Sequence, residues 1–280
     1  MIKVNNEEAK FEKFPNGETK LIEDSVNLGF LNGLFPKISF KYESDEDLIR
    51  LMFVKNYIDY IYRGAKVTLI IYYMPYSRMD RSEEKSAFTL KYVSDFINNL
   101  DFHRVKVVEP HSDVTPALLD NVEAKYINFD LLPKVMEEVG FDVEKDYVMF
   151  PDAGASKRYA KMNGIKNVLI GHKHRDFQTG EITSFDLVGE IKEDGYKVII
   201  VDDLSSYGGT FVHSAIALRE EAFEEVYLLV AHAENSIFKG KLFDHVDKVF
   251  TTDSLLTEQN YPHNKKFEPQ LKIYEIGEVL

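Results

Sequence analysis

Two adjacent carboxylates followed by paired glycines make the segment from Asp202 to Thr210 the most chemically informative part of the sequence. Acidic side chains at the end of an apolar run cannot be buried without partners, whereas they can bind the vicinal hydroxyls of a ribose or a hydrated Mg²⁺. Gly208 and Gly209 allow backbone N–H groups to surround an anion at the start of the following helix. No lysine stands where a Walker loop requires one, which excludes a P-loop NTPase. The alternative interpretation is an acidic turn with a glycine bend.

Cations and a histidine follow other apolar runs. Arg78 and Arg81 flank Asp80, and guanidinium groups bind phosphate oxygens through paired hydrogen bonds. His111 has Glu109 nearby, and a neutral imidazole beside carboxylates suits Mg²⁺ or its water ligands. Surface salt bridges are the alternative for the arginines, and a structural role is the alternative for the histidine.

A further cationic stretch, GHKHRDFQTGE, carries Lys173 and Arg175 and shows no apolar periodicity. Its polar, glycine-flanked composition predicts a mobile loop. Such a loop could close over phosphates, stabilise developing charge and exclude water. A solvated hairpin tip is the alternative, and His174 is assigned no more than a possible phosphate contact.

The elements that must position these groups are short apolar runs rich in Val, Ile and Leu, which are typical of strands buried on both faces of a parallel sheet. Helical spacing of apolar residues occurs between them, as in residues 46–64 and 86–100. Alternation of the two predicts an α/β fold whose ligands bind beyond the carboxyl ends of the strands. The runs fall into two stretches, 1–135 and 136–280, each with its own strand-end polar clusters. The runs with their polar ends are residues 67–81, 105–113, 147–158, 167–176, 197–210 and 226–236.

Composition limits the partners. The net charge of −13 argues against a broad basic face, so no nucleic-acid partner is expected. The absence of cysteine excludes disulfides and thiolate chemistry, and it favours a reducing cytoplasm. The first residues lack the features of a secretion signal, and no apolar run approaches the roughly 18 residues of a membrane span. We therefore expect a cytoplasmic protein without a membrane partner.

Taken together, the polar segments resemble those of the ribose-phosphate pyrophosphokinases, also called phosphoribosyl pyrophosphate synthetases. Six segments occur in the order typical of that family. They are residues 14–18 (FPNGE), 75–81 (PYSRMDR), 109–112 (EPHS), 151–158 (PDAGASKR), 173–175 (KHR) and 202–210 (DDLSSYGGT).

The resemblance implies two phosphoribosyltransferase-like domains, each a mostly parallel sheet flanked by helices. The first would carry ATP-binding elements and the second the ribose-phosphate loop. It also implies an in-line attack by the anomeric hydroxyl of ribose 5-phosphate on the β-phosphorus of Mg-ATP, giving phosphoribosyl pyrophosphate and AMP. Mg²⁺ is the implied cofactor, and a homo-oligomer is implied because a neighbouring subunit completes the adenine site.

Individual roles follow from the resemblance, residue by residue. The implied catalytic residues are Lys173 and Arg175, and the implied Mg²⁺ ligands are His111 and Asp152. The implied ATP-binding residues are Phe14, Asn16, Glu18, Arg78, Asp80, Arg81 and His111, with the first three reaching the nucleotide of a neighbouring subunit. The implied ribose-phosphate-binding residues are Asp202, Asp203, Ser205, Ser206, Tyr207, Gly208, Gly209 and Thr210.

The ribose loop departs from the family pattern DDxxDTGGT, because Ser206 and Tyr207 replace an Asp and a Thr. A bulky tyrosine can flank a substituent larger than a terminal phosphate. The acceptor is therefore ribose 5-phosphate or a 5-substituted ribose such as ADP-ribose, which would give ADP-ribose pyrophosphate.

Two other classes of protein share part of this pattern. A phosphoribosyltransferase would use the same ribose loop but would not need the segments around Arg78 and His111. A non-catalytic regulator would be expected to lose Lys173, Arg175 or the metal residues, and all are present.

Overall fold

The structure is a computed structural model, and it describes residues 1–29, 35–83, 85–175, 182–192, 196–257 and 262–280. The chain forms two compact units, Met1–Tyr126 and Ile127–Leu280. No helix in these described ranges is long and apolar enough to cross a bilayer.

The first unit is organised around a six-stranded sheet in the order β2-β1-β5-β6-β7-β8. Strands β5 to β8 pair in parallel, whereas β1 pairs antiparallel with both β2 and β5. Strands β3 and β4 form a separate antiparallel hairpin. The strands are β1 (Ile2–Val4), β2 (Glu7–Glu8), β3 (Phe11–Lys13), β4 (Thr19–Leu21), β5 (Lys37–Phe40), β6 (Thr68–Ile71), β7 (Arg104–Val108) and β8 (Val122–Lys125), and the helices are α1 (Glu46–Ile61), α2 (Thr89–Asn98) and α3 (Val114–Leu118).

The second unit contains a seven-stranded sheet in the order β11-β10-β9-β12-β13-β14-β15. Every pair in it is parallel except β10 with β11. The strands are β9 (Tyr147–Phe150), β10 (Asn167–Arg175), β11 (Ile182–Val188), β12 (Lys197–Ser205), β13 (Glu225–Ala233), β14 (Lys248–Thr252) and β15 (Leu271–Tyr274), and the helices are α4 (Asn128–Val139), α5 (Ala153–Arg158), α6 (Gly209–Glu220), α7 (Leu242–His245) and α8 (Ile276–Val279). The predicted α/β class with two mostly parallel sheets is confirmed.

Each unit has its own apolar core, formed where a helix places one face on its sheet. In the first unit, Leu51, Val54 and Ile58 of α1 are fully buried, at the i, i+3, i+7 spacing of one helix face. In the second, Phe211 and Leu218 of α6 pack against the residues of β12 and β13. These cores fix the strand ends from which the polar segments emerge.

The division between the units lies at residues 126 and 127, whereas the sequence-based boundary at 135 falls inside α4. This helix belongs to the second unit because Leu131, Leu132 and Val135 are buried and Asn128 donates a hydrogen bond to the backbone carbonyl of Asp202. The sequence has no clear boundary signal there, since Pro133 lies within the helix and does not end it.

Two polar segments predicted as loops belong to strands. Asp202 and Asp203 lie inside β12, which continues to Ser205 in register with β13. Lys173 and Arg175 lie in β10, opposite Phe185 and Ile182 of β11. The loop prediction for this pair was wrong because antiparallel pairing with β11 extends β10 beyond its apolar residues. The rest of the predicted loop, residues 176–181, lies outside the described residues.

Candidate active site

The segment FPNGE forms the tip of the hairpin between β3 and β4. The Gly17 N–H bonds the Phe14 carbonyl at 2.8 Å and the Phe14 N–H bonds the Glu18 carbonyl at 2.9 Å, while Gly17 has a φ of +90°. Pro15 is the second residue of this turn. Gly17, its fourth residue, adopts the left-handed conformation that glycine tolerates. The tip is exposed, and Phe14 is 50% exposed. A large aromatic ring therefore stands at the end of a short, locally specified hairpin.

The base of that hairpin is held by α1. Glu46 forms a salt bridge with Lys13 of β3 at 2.7 Å and accepts a hydrogen bond from Thr19 of β4 at 3.1 Å. Arg50 also pairs with Glu46 and lies over the ring of Phe11. The candidate adenine-binding residues thus project from a base that is fixed on the first unit.

The segment PYSRMDR leaves the carboxyl end of β6 as a series of tight turns. Tyr76 takes a φ of +62°, and its hydroxyl donates to Asp45, which also accepts from Tyr42 at 2.6 Å. The hydrogen bond from Tyr42, reinforced by that from Tyr76, lowers the pKa of Asp45. Arg78 and Arg81 are exposed beyond this anchor, and Arg81 pairs with Glu83 at 2.9 Å in an exposed salt bridge. The tyrosine–aspartate contact fixes the turn while its arginines face solvent.

The next candidate, His111, follows β7. Glu109, immediately after that strand, is 1% exposed and adopts a φ of +42°, and its N–H bonds the carbonyl of Lys125. His111 and Ser112 are half-buried, and the Ser112 hydroxyl accepts from the Val114 N–H at the start of α3. The imidazole is therefore presented at the carboxyl end of the sheet, as the α/β pattern predicts.

In the second unit, Asp152 begins α5 directly after β9. Its Oδ1 accepts a hydrogen bond from the Ala155 N–H at 3.0 Å, which satisfies one of the unpaired donors of the first helical turn. A Cβ at position 154 would lie 3.2 Å from that oxygen, so Gly154 leaves room for the carboxylate. Gly171 of β10 allows close packing beside this segment, because a Cβ there would collide with the Phe185 ring and lie 2.8 Å from the carbonyl of Pro151.

The paired aspartates of β12, of which Asp203 is buried and Asp202 half-buried, share one cation. Arg158 at the end of α5 contacts Asp203 at 2.8 Å and Asp202 at 3.4 Å through the same nitrogen. Burial, reinforced by the nearby charges of Asp203 and Asp152, raises the pKa of Asp202 well above its ordinary value. Three carboxylates and one guanidinium therefore form a compact charged cluster at the carboxyl ends of β9 and β12.

Asn128 ties this cluster to α4. Its amide donates to the Tyr159 hydroxyl and to the Asp202 carbonyl, each at 2.8 Å. The Tyr159 ring stacks on Phe150 at 5.8 Å between centroids. Arg158 and Asn128 were assigned no separate role from the sequence. The arginine stood in the PDAGASKR segment, but nothing in its position indicated which carboxylates it meets.

The ribose-loop segment turns from β12 into α6 over residues 206–208. Gly208 is the N-cap residue of α6 and has a φ of +79°. No side chain caps the N–H groups of the first helical turn. The Tyr207 side chain is 60% exposed. Ser205 is fully buried, and its hydroxyl has no hydrogen-bond partner in the part of the chain that the structure describes. Thr210 lies in the first turn of α6, where its carbonyl accepts from Ser214.

The segment 234–240, after β13, packs along this turn. The Glu234 N–H bonds the Ser205 carbonyl at 2.9 Å, and the Ser206 and Ser236 hydroxyls lie 3.0 Å apart. A Cβ on Gly240 would lie only 2.1 Å from the Tyr207 carbonyl oxygen. The sequence contains this segment as the polar end of an apolar run, and that feature alone could have pointed to it.

The donor set suits Mg²⁺ that arrives with a nucleotide. Carboxylate oxygens are its preferred protein ligands, and it is usually bound by one or two of them together with substrate phosphates. In the described ranges, no three His, Asp or Glu side chains are arranged to hold a metal alone. Asp152, Asp202 and Asp203 lie close enough for their charges to interact, which fits partial coordination by the protein.

Ribose-phosphate pyrophosphokinases are among the known proteins that are similar to this chain. No family model matches the chain. A ribose-phosphate pyrophosphokinase of Sulfurisphaera tokodaii is 28% identical over 251 residues, covering 86% of this chain and 82% of that protein. One from Fusobacterium nucleatum is 25% identical over 279 residues, covering 97% of this chain and 84% of that protein.

The fold agrees with these relatives. The crystal structure of phosphoribosylpyrophosphate synthetase from Mycobacterium smegmatis has a TM-score of 0.72 and 22% sequence identity, covering 98% of this chain and 87% of that one. The resemblance predicted from the six segments is thereby confirmed, and the chain is a relative of the ribose-phosphate pyrophosphokinases.

Proposed function

We propose that the protein transfers the β,γ-diphosphoryl group of Mg-ATP to the anomeric hydroxyl of a ribose that carries a 5-phosphoryl substituent. With ribose 5-phosphate as acceptor, the products are phosphoribosyl pyrophosphate and AMP. The relatives support the enzyme class, a diphosphotransferase of the ribose-phosphate pyrophosphokinase type. The observation that carries the proposal is the pair Asp202 and Asp203, which contacts Arg158 and precedes the glycine start of α6.

The acceptor roles follow from this arrangement. Carboxylates accept hydrogen bonds, so Asp202 and Asp203 would orient the vicinal hydroxyls of the ribose. The uncapped N–H groups at the start of α6, with Gly208 and Gly209, would bind the 5-phosphoryl group. Ser205, Ser206, Tyr207 and Thr210 would line the same end of the acceptor.

The nucleotide roles lie with the exposed segments. Arg78 and Arg81, with Asp80 between them, would bind the triphosphate and ribose of ATP, because exposed guanidinium groups can reach phosphate oxygens. Phe14, Asn16 and Glu18 would contact the adenine of a nucleotide bound to a neighbouring copy, since the hairpin presents an exposed ring. This role requires a homo-oligomer.

The chemical step is a displacement at the β-phosphorus. The anomeric oxygen forms a bond to that phosphorus, the bond to the α,β-bridging oxygen breaks, and AMP leaves while the acceptor hydroxyl loses its proton. Lys173 and Arg175 would stabilise the charge that develops on the transferred group. Bound Mg²⁺ neutralises phosphate charge, and Asp152 and His111 are its candidate protein ligands.

The second candidate acceptor is a 5-substituted ribose such as ADP-ribose. The exposed side chain of Tyr207 favours it, because an aromatic ring beside the 5-phosphoryl position can contact a larger substituent. The cysteine-free composition agrees with the proposed cytoplasmic location.

The test is to incubate the protein with Mg-ATP and either ribose 5-phosphate or ADP-ribose and to weigh the products by mass spectrometry. The proposal predicts AMP together with an acceptor that has gained one diphosphoryl group. Formation of phosphoribosyl products without ATP would instead favour a phosphoribosyltransferase. Absence of AMP with both acceptors would contradict the proposal.

A further inference from the structure

A chain of hydrogen bonds leads to a carboxylate from residues 205–210, the turn proposed to bind the acceptor, which we call the acceptor turn. The Ser206 hydroxyl lies 3.0 Å from that of Ser236, and the Ser236 hydroxyl donates to Glu234 Oε2 at 3.2 Å. Ser206, Ser236 and Glu234 are all half-buried, and they belong to the second unit of the chain. We call Ser206, Ser236 and Glu234 the serine relay.

The direction of the protons in the serine relay follows from their number. A hydroxyl has one proton to donate, and an ionised carboxylate can only accept. Because the Ser236 proton is directed to Glu234, the contact between the two serines requires Ser206 to be the donor. The Ser206 proton is thus directed away from the turn, and its hydroxyl offers lone pairs to a ligand there.

The geometry of the relay is held from both sides. The Glu234 N–H is bonded to the Ser205 carbonyl, and Ile237 of the same segment is fully buried. Asn235 exchanges two hydrogen bonds with Thr257, at 3.0 and 3.2 Å. The relay is therefore part of a fixed packing arrangement between the segment 234–240 and the acceptor turn.

We infer that Glu234, acting through Ser236 and Ser206, determines which 5-phosphoryl groups the acceptor turn accepts. The inference rests on the proposed function in taking residues 205–210 as the acceptor turn. The relay disfavours a terminal phosphate monoester relative to a phosphate that carries a further substituent. Glu234 and Ser236 are thus specificity-determining residues that act without being catalytic.

The physical reason lies in the charge of the bound phosphate and in the number of hydrogen-bond donors that the acceptor turn offers it. A phosphate monoester carries about −1.5 to −2 charges at neutral pH and needs hydrogen-bond donors. A phosphate within a diphosphate linkage carries a single negative charge and one fewer terminal oxygen. The Ser206 donor is committed to Ser236, and the Glu234 carboxylate lies two hydrogen bonds away, so the arrangement penalises the monoester more strongly.

The inference is tested by equilibrium binding. Dissociation constants for ribose 5-phosphate and for ADP-ribose are measured by calorimetry, with Mg²⁺ and α,β-methylene ATP, whose α,β bond cannot be broken in the transfer. The variants are Glu234→Gln, which removes the negative charge and leaves a weaker acceptor for Ser236, and Ser236→Ala, which removes the acceptor of the Ser206 proton. Glu221→Gln, an exposed carboxylate at the other end of α6, is the matched control for loss of one charge.

Glu234→Gln and Ser236→Ala should each tighten ribose 5-phosphate binding roughly tenfold, equivalent to about 1.4 kcal/mol, and change ADP-ribose binding less. The Glu221→Gln control should leave the ratio of the two dissociation constants at its wild-type value. An unchanged ratio in both relay variants, or weaker ribose 5-phosphate binding in both, would overturn the inference. These results are independent of the AMP assay, whose failure would instead reject the proposed transfer reaction.

Discussion

Arg158 and Arg81 show how differently the two units hold their charged candidate residues. Arg158 has 12% of its side chain exposed and contacts Asp202 and Asp203, which have 14% and 5% exposed, whereas Arg81 meets Glu83 in solvent, with 76% and 72% of the two side chains exposed. The contrast extends to their surroundings, since the aspartates are fixed by α4, α5 and β12 while the nucleotide candidates stand on turns. The candidate acceptor groups are therefore held in place by their neighbours, whereas the candidate nucleotide-binding groups stand on exposed turns.

Exchanging each arginine for methionine tests that contrast most strongly. Arg158→Met leaves the largely buried pair Asp202 and Asp203 without its cation and should lower the free energy of unfolding by about 3–5 kcal/mol. Arg81→Met removes only an exposed ion pair and should cost less than about 1 kcal/mol. Urea denaturation followed by circular dichroism measures both. Equal losses in the two variants would contradict a preformed acceptor cluster.

Lys173→Ala sharpens the comparison by separating binding from turnover. Removing one group that stabilises transition-state charge typically costs about 10²–10³ in turnover, and we expect a loss of this size with little change in nucleotide affinity. Initial rates of AMP formation and nucleotide titrations provide the two quantities. Lys145→Ala, an exposed lysine before β9, is the control. Turnover near the wild-type value in Lys173→Ala would reject the assignment of this strand.

Phe14→Ala tests the exposed side of the comparison. Stacking of a base on an aromatic ring is worth about 1–3 kcal/mol, so the KM for ATP should rise roughly tenfold or more. Stability should change by less than about 0.5 kcal/mol because the ring is half exposed. Tyr60→Ala, at a site 78% exposed on α1, should alter neither quantity. An unchanged KM for ATP in Phe14→Ala would remove the hairpin from the nucleotide site.

Asp202→Asn tests whether the carboxyl group of Asp202, held in the aspartate cluster, lowers the free energy of unfolding when it is ionised. The folded-state pKa of Asp202 is raised, so the folded protein retains a proton that the unfolded chain releases near pH 4. The contribution of this group to the free energy of unfolding therefore falls as pH rises from about 4 through the raised pKa.

The Asn variant removes that fall, so its stability relative to wild type should be greater at pH 8 than at pH 4.5. A difference on the order of 1 kcal/mol would shift Tm by about 2–4 °C in a chain of this size. Thermal unfolding at the two pH values, together with an acceptor titration at pH 8, measures the effect. A stability difference that is the same at both pH values would contradict the burial argument.

Periodicity in the sequence predicted β6, β7, β9, β10, β12 and β13 and the helices α1 and α2, because apolar runs such as residues 147–150 are buried on both faces of their sheet. It did not indicate β14, β15 or α4. The same periodicity predicted the carboxyl ends of β10 and β12 too early in the sequence. Asp202 and Lys173 are polar residues that pair within a sheet, and nothing local distinguishes them from loop residues. The long-range partners of β12 and β10 decided their structure.

The same limit applies to the candidate site. Its carboxylates, glycines and histidine could be listed from spacing, since their chemistry is local. The contacts of Arg158 with Asp203, of Asn128 with Asp202 and of Ser236 with Ser206 join residues 45, 74 and 30 positions apart. Such pairings depend on how helices pack on the sheet, which a single sequence does not specify.

The close approach at Gly240 has a practical consequence for altering the proposed acceptor preference of this protein. Because a Cβ there would collide with the backbone of Tyr207 at 2.1 Å, any other residue would displace the turn as a whole. A mutant library that seeks new sugars should keep position 240 constant and vary side chains at 206, 207 and 236. Selection would then act on recognition chemistry while the main-chain scaffold stays intact.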